Sequence, residues 1–298
     1  MASFAAVIRG FRVVVFLHGF PEIWYSWRHQ MIAVADAGFR AIAPDFRGYG
    51  LSQQPPEPEN ASWSDFDRRP PLYPRSLLSL SRVFVVARDF GAMVAYQFAL
   101  LFPNRVSGVV TLSVPFVTEA ISINTLPEGF YMLRWLCATS TSSSLAASSR
   151  WPQKIRIMDL VDASSPLPTW FSEEDLTAYA ALYENSGFCF PLQIPYRCKF
   201  LRCSSWVRKD YILKFPGMDD YVRSGTVKNY VPDLDIKFIP EGSHFVQEQF
   251  PEEVNRVLLS FLKKTFPIAG CQRRRSCRLQ HLRRSSFPLF YGTIKSPL

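Results

Sequence analysis

Val83-Phe84-Val85-Val86-Ala87 is continuously apolar and mostly β-branched. It passes through Arg88-Asp89 directly into a helical stretch from Gly91 to Phe102 that Pro103 ends. A strand apolar on both faces belongs inside a parallel sheet covered on both sides. Val13-Val14-Val15-Phe16-Leu17 has the same character and ends in the loop His18-Gly19-Phe20-Pro21. From Trp27 the apolar positions Trp27, Met31, Val34 and Ala35 recur at helical spacing, and Gly38 supplies the stop. Phe39 to Ala43 and Val106 to Val114 read as two more strands. Strands alternating with helices are βαβ units, so the expected fold class is α/β, with a mostly parallel sheet and helices on both faces.

This rhythm fails from Phe116 to about Phe200, where helical pieces such as Glu173 to Tyr183 read as an inserted helical lid. It returns as a strand at Asp235 to Pro240 and an amphipathic helix at Pro251 to Lys263. The chain therefore divides into a first part of the core (1–115), the lid (116–200), a second part of the core (201–264) and a basic tail (265–298) that is irregular by composition. Gln53 to Pro74, rich in proline, and Cys137 to Arg150, rich in serine, also read as loop.

The chain has 298 residues, 48% of them hydrophobic and 20% charged, which excludes wholesale disorder. The net charge of +9 comes largely from the tail: seven basic residues and no acid lie between Thr265 and Leu298, leaving +2 on the rest. The tail arginines have no folded surface to present them, so nucleic acid is not an expected partner. The six cysteines form no CxxC pair and no regular spacing with histidines, so neither a zinc site nor a disulfide framework is indicated. No apolar run approaches the roughly 20 residues that span a bilayer. A cytoplasmic location fits this pattern. Ser296-Pro297-Leu298 matches a peroxisomal address only at its two ends.

The junction Ala87-Arg88-Asp89-Phe90-Gly91 has the shape of a nucleophile elbow, in which small flanking residues permit a strained turn that lifts a nucleophile above the sheet. Asp89 holds the nucleophile position. Its other reading is a cap on the following helix. An aspartate is ionised at neutral pH and attacks without a base; the base is needed afterwards, to activate water against the covalent ester. Of the four histidines, His244 follows the Asp235 to Pro240 segment in a late loop, and a parallel sheet brings it to the same edge as Asp89. Its other reading is a surface loop histidine. Asp210 lies between nucleophile and base and is the preferred orienting acid over Asp233 and Asp235, which border the strand itself. The backbone amides of Phe20 and Phe90 stand at the two strand ends where an oxyanion hole needs donors. His18 reads as a structural imidazole holding its loop.

With these pieces in place, the sequence resembles the soluble epoxide hydrolases of plants, in the α/β-hydrolase superfamily. The segments that carry the likeness are Phe16 to Gln30, Ala43 to Gly50, Val83 to Phe116, Ile157 to Tyr196 and Phe215 to Leu262. The resemblance implies Asp89 as nucleophile, His244 as base and Asp210 as its acid. It further singles out two lid tyrosines, Tyr131 and Tyr196, that hydrogen-bond the epoxide oxygen as the ring opens; taken alone, each would read as lid packing. Family members carry two further strands ahead of the one at Val13, so edge strands are expected to be missing at the N-terminus. The implied activity is hydrolysis of a lipophilic epoxide to a vicinal diol through an aspartyl ester, with water as co-substrate and without metal or cofactor; a homodimer is compatible with it. Two alternatives stay open. Prolines 70, 71 and 74 interrupt a stretch that is helical in the family, which suits a catalytically silent protein of this fold or a small-molecule binder. A haloalkane dehalogenase shares the aspartate nucleophile, but Phe20 and Phe90 offer no side-chain donor for a halide.

Overall fold

A computed structural model describes residues 12–54, 82–117, 164–188, 190–191, 213 and 217–265, together with the backbone of 3–8 and 290–293. In chain order the elements are β1 (Ser3–Ile8), β2 (Val13–Leu17), α1 (Arg28–Asp36), β3 (Arg40–Pro44), β4 (Val83–Arg88), α2 (Phe90–Leu101) and β5 (Val106–Leu112). They continue with α3 (Glu173–Tyr183), α4 (Met218–Arg223), α5 (Val246–Gln249), α6 (Pro251–Thr265) and β6 (Phe290–Thr293). The strands form one sheet in the order β5-β4-β2-β3-β1-β6. β3, β2, β4 and β5 run parallel, with Val14 opposite both Ala41 and Phe84, and Val85 opposite Val109.

Side-chain alternation divides the two central strands between two apolar layers. Val13, Val15, Leu17, Val83 and Val85 pack with Met93, Val94 and Phe98 of α2 on one face. Val14, Phe16, Phe84 and Val86 pack on the other with Trp27, with Met31 and Val34 of α1, and with Leu258 and Leu262 of α6. Each fully buried Val, Leu or Phe contributes about 1.5–3 kcal/mol by leaving water, so these layers dominate the stability of the core. The continuous apolar runs follow directly from burial on both faces.

Among the described residues one strand, β1, precedes β2; it is antiparallel to β3, and β6 extends the same edge by pairing antiparallel with β1. That edge of the sheet is therefore occupied. β6 also shows that the tail is not irregular throughout. The segment Asp235 to Pro240 corrects the sequence reading: among its residues only Ile239 makes an isolated bridge. Its alternation of apolar and polar residues suits a strand, but Phe238 is 37% exposed and no described strand lies alongside it.

α3 occupies the expected residues because its start is locally encoded. The Ser172 hydroxyl accepts from the Asp175 amide, and the Asp175 carboxylate accepts from the Ser172 amide, a capping box that satisfies two otherwise orphaned donors. The proline-rich stretch beyond Gln54 and the serine-rich stretch lie outside the described residues.

Candidate active site

β4 delivers Asp89 to the carboxyl edge of the sheet in a turn that few residues adopt. Asp89 has φ 49° and ψ −128°, in the region disfavoured for residues with a Cβ. Its side chain does not cap α2. That excludes the helix-cap reading and frees the carboxylate for other partners. The turn fits only because of two close approaches: a Cβ on Gly91 would lie 2.5 Å from the carbonyl oxygens of Leu17 and His18, and one on Gly19 would lie 2.2 Å from the Asp89 Cβ.

The two carboxylate oxygens have different partners. The Phe20 amide donates to Oδ1 at 3.0 Å, and His244 Nε2 stands 3.4 Å from Oδ2. Asp89 is 3% exposed and His244 8%, so both contacts act with little screening by water. Burial pushes the Asp89 carboxyl up. The hydrogen bond and charge of His244, the charge of Arg88 and the Phe20 amide outweigh burial and hold it below the usual carboxylate range.

His18 has the structural role read from the sequence. Its Nδ1 is 2.8 Å from the Gly19 carbonyl and its Nε2 accepts from the Phe46 amide at 3.1 Å, which assigns the proton to Nδ1. Complete burial lowers its pKa to about 4, against the Gly19 carbonyl and the Asp89 charge, so the ring is neutral and bonded on both sides. Asp45 fastens the same loop system by accepting from the Trp24 amide at 2.8 Å. The loop bearing the Phe20 donor is thus held by contacts that carry no catalytic proton.

Phe90 opens α2, its amide in the first helical turn beside Asp89. Asp210, Tyr131 and Tyr196 lie outside the described residues. Beside the His244 loop, α3 and its flanks wall a cavity of about 400 Å³, lined by Trp170, Phe171, Tyr179, Tyr183, Phe188 and Phe245 among others.

The sequence reading missed a buried charged layer under this site. Arg88, fully buried, pairs with Glu22, and Glu22 also accepts from the Gln247 amide. Arg28 pairs with both Glu248 and Asp175. A signal was present in the sequence: an arginine closing an apolar strand is either at the surface or paired, and its partner is not visible from spacing.

Comparison with known proteins shows the family. Residues 12–133 match the family described as the alpha/beta hydrolase fold. Epoxide hydrolase 3 of Siraitia grosvenorii is 31% identical over 297 residues, spanning 85% of this chain and 92% of that protein. The crystal structure of an epoxide hydrolase from Vigna radiata superposes with a TM-score of 0.71 at 28% identity, covering 88% of this chain and 94% of that one. Potato epoxide hydrolase I superposes at 0.67 with 27% identity, covering 88% and 96%. The likeness to these plant proteins runs over most of the chain, and the chain belongs to the plant-type epoxide hydrolases of the α/β-hydrolase fold.

Proposed function

We propose that the chain converts a lipophilic epoxide to a vicinal diol through an ester on Asp89. In this reading Oδ2 attacks an epoxide carbon, the carbon–oxygen bond breaks, and its electron pair moves to the ring oxygen, which takes a proton from Tyr131 or Tyr196. A phenol with a pKa near 10 suits that task because the departing alkoxide is far more basic. His244, oriented by Asp210, then removes a proton from water as it attacks the Asp89 carboxyl carbon. The Phe20 and Phe90 amides stabilise the oxyanion that forms on Oδ1. The Cγ–Oδ2 bond breaks, the leaving oxygen takes the proton that His244 holds, and the diol departs with it; the proton left on the new Asp89 carboxyl returns to the tyrosinate.

The observation that carries the reading is the unequal contact of the two Asp89 oxygens, one with an amide and one with an imidazole. The aromatic walls of the neighbouring cavity favour an apolar substituent on the epoxide. The test is a single turnover of styrene oxide in heavy-oxygen water. Label entering the Asp89 carboxylate is expected; diol formation retained by Asp89→Ala would sink the mechanism. Halide release from a chloroalkane would favour the dehalogenase alternative, and neither product would favour the silent one. The cytoplasmic location and the homodimer belong to the same proposal, and are checked by cell fractionation and light scattering.

A further inference from the structure

The side chain immediately before the nucleophile has no part in the chemistry just described, yet it touches both loops that build the site. Arg88 is the last residue of β4, and its guanidinium is shut away from solvent. On one side it pairs with Glu22, which is itself 2% exposed and follows the Phe20 donor in the chain. On the other, its Cζ lies 4.7 Å from the centre of the Phe245 ring. That ring sits edge-on to the His244 imidazole, with centroids 5.5 Å apart and planes at 82°, and stacks on Trp170 of the lid at 5.9 Å. Gln247 closes the circuit, donating to Glu22 from its side chain while its backbone carbonyl accepts from Gln30 at 2.9 Å.

A planar cation suits this place better than an ammonium would, because one plane can face an aromatic ring while its edge meets a carboxylate. Glu22 fixes the guanidinium against the core. The guanidinium then limits where Phe245 can lie, and Phe245 is covalently next to the base. His244 stands 3.4 Å from Asp89 Oδ2, so a modest shift of its loop would change the path by which it delivers activated water.

We propose that Arg88 is a positioning residue: anchored by Glu22, it holds Phe245 and thereby aims His244 at the ester formed on Asp89. The inference rests on the ester mechanism above. It assigns Arg88 to the second half-reaction, in which His244 acts, rather than to the opening of the epoxide.

Stopped-flow tryptophan fluorescence with styrene oxide separates the two half-reactions, and mass spectrometry of rapidly quenched protein detects the alkyl adduct. Three variants are compared with the parent: Arg88→Met combined with Glu22→Gln, which leaves no buried charge unpaired; Phe245→Leu, which leaves the ion pair intact; and Arg88→Lys. Ester hydrolysis is expected to slow about tenfold or more in the first two, with alkylation within about threefold of the parent and the adduct accumulating. Arg88→Lys keeps the charge but loses the flat face, and is expected to recover part of the loss. Should the double variant fail to fold, Phe245→Leu decides the matter alone. Parent-like hydrolysis in the variants that fold, or equal slowing of both steps, overturns the role of Arg88 only. Absence of any adduct in every protein overturns the ester mechanism and this inference together.

Discussion

The Arg28 guanidinium, at the first residue of α1, meets the Asp175 carboxylate, in the capping box of α3, at 2.9 Å. The same guanidinium pairs with Glu248, which also accepts from the Tyr179 hydroxyl of α3 at 3.1 Å. Arg28 and Glu248, paired with each other, thus each make one tie to α3, at Asp175 and at Tyr179. Arg28 is 12% exposed and Glu248 3%, so removing the cation leaves a buried carboxylate without its main partner. Arg28→Met is expected to destabilise the protein by roughly 3 kcal/mol. Asp175→Asn, which spares the Glu248 pair, should cost markedly less. Denaturant titration of both variants checks the order.

Asp89 keeps a backbone geometry that an L-residue holds only under constraint. Glycine has no Cβ to strain, so Asp89→Gly is expected to be more stable than Asp89→Ala by about 1–2 kcal/mol, while both lack diol formation. Thermal melts of the two inactive variants measure the difference directly, since neither retains the carboxylate contacts.

Gly91 offers no such relief. A methyl group there meets two backbone carbonyls of the Leu17–His18 strand end, and neither can move without shifting the loop that carries the Phe20 donor. Gly91→Ala is expected to lose roughly 2–3 kcal/mol of stability and to lower kcat more than it raises KM. Steady-state kinetics on the folded fraction provides the check.

Folding lowers the His18 pKa from an ordinary 6.5 to about 4, so the unfolded chain binds a proton more readily between those values. The stability that neutral His18 contributes is fully present above pH 6.5 and declines as pH falls toward 4, by on the order of 3 kcal/mol. His18→Gln removes the titration. The stability gap between parent and variant should therefore be widest near pH 7 and narrow steadily toward pH 4 in urea melts. A gap that stays constant with pH would show that burial does not depress this histidine.

The core strands were readable because burial on both faces leaves a local mark: Val13 to Leu17 and Val83 to Ala87 have no polar residue to hide. α3 was readable because Ser172 and Asp175 cap it from within the same few residues. Asp235 to Pro240 misled for the opposite reason. Its alternation is compatible with a strand, but among the described residues no strand pairs with it and Ile239 makes only an isolated bridge. Asp89 and His244 could be paired from chain order and sheet topology. Whether Asp89 capped its helix or turned away from it depended on one pair of backbone angles that Asp tolerates in either case. Arg88 with Glu22, and Arg28 with Asp175, are partners far apart in the chain, and composition along the chain carries no trace of such pairings.

On the proposed ester mechanism, the unequal contacts of the Asp89 oxygens would give the protein one permanent atom and one consumable atom. Oδ1, held by the Phe20 amide, would stay with the protein through every cycle. Oδ2, on the His244 side, would depart in each diol and be replaced from water, so that mechanism would rebuild the protein by one atom per turnover. In heavy-oxygen water the first diol would then carry an oxygen encoded by the ribosome, and each later one an oxygen left by the solvent of the cycle before.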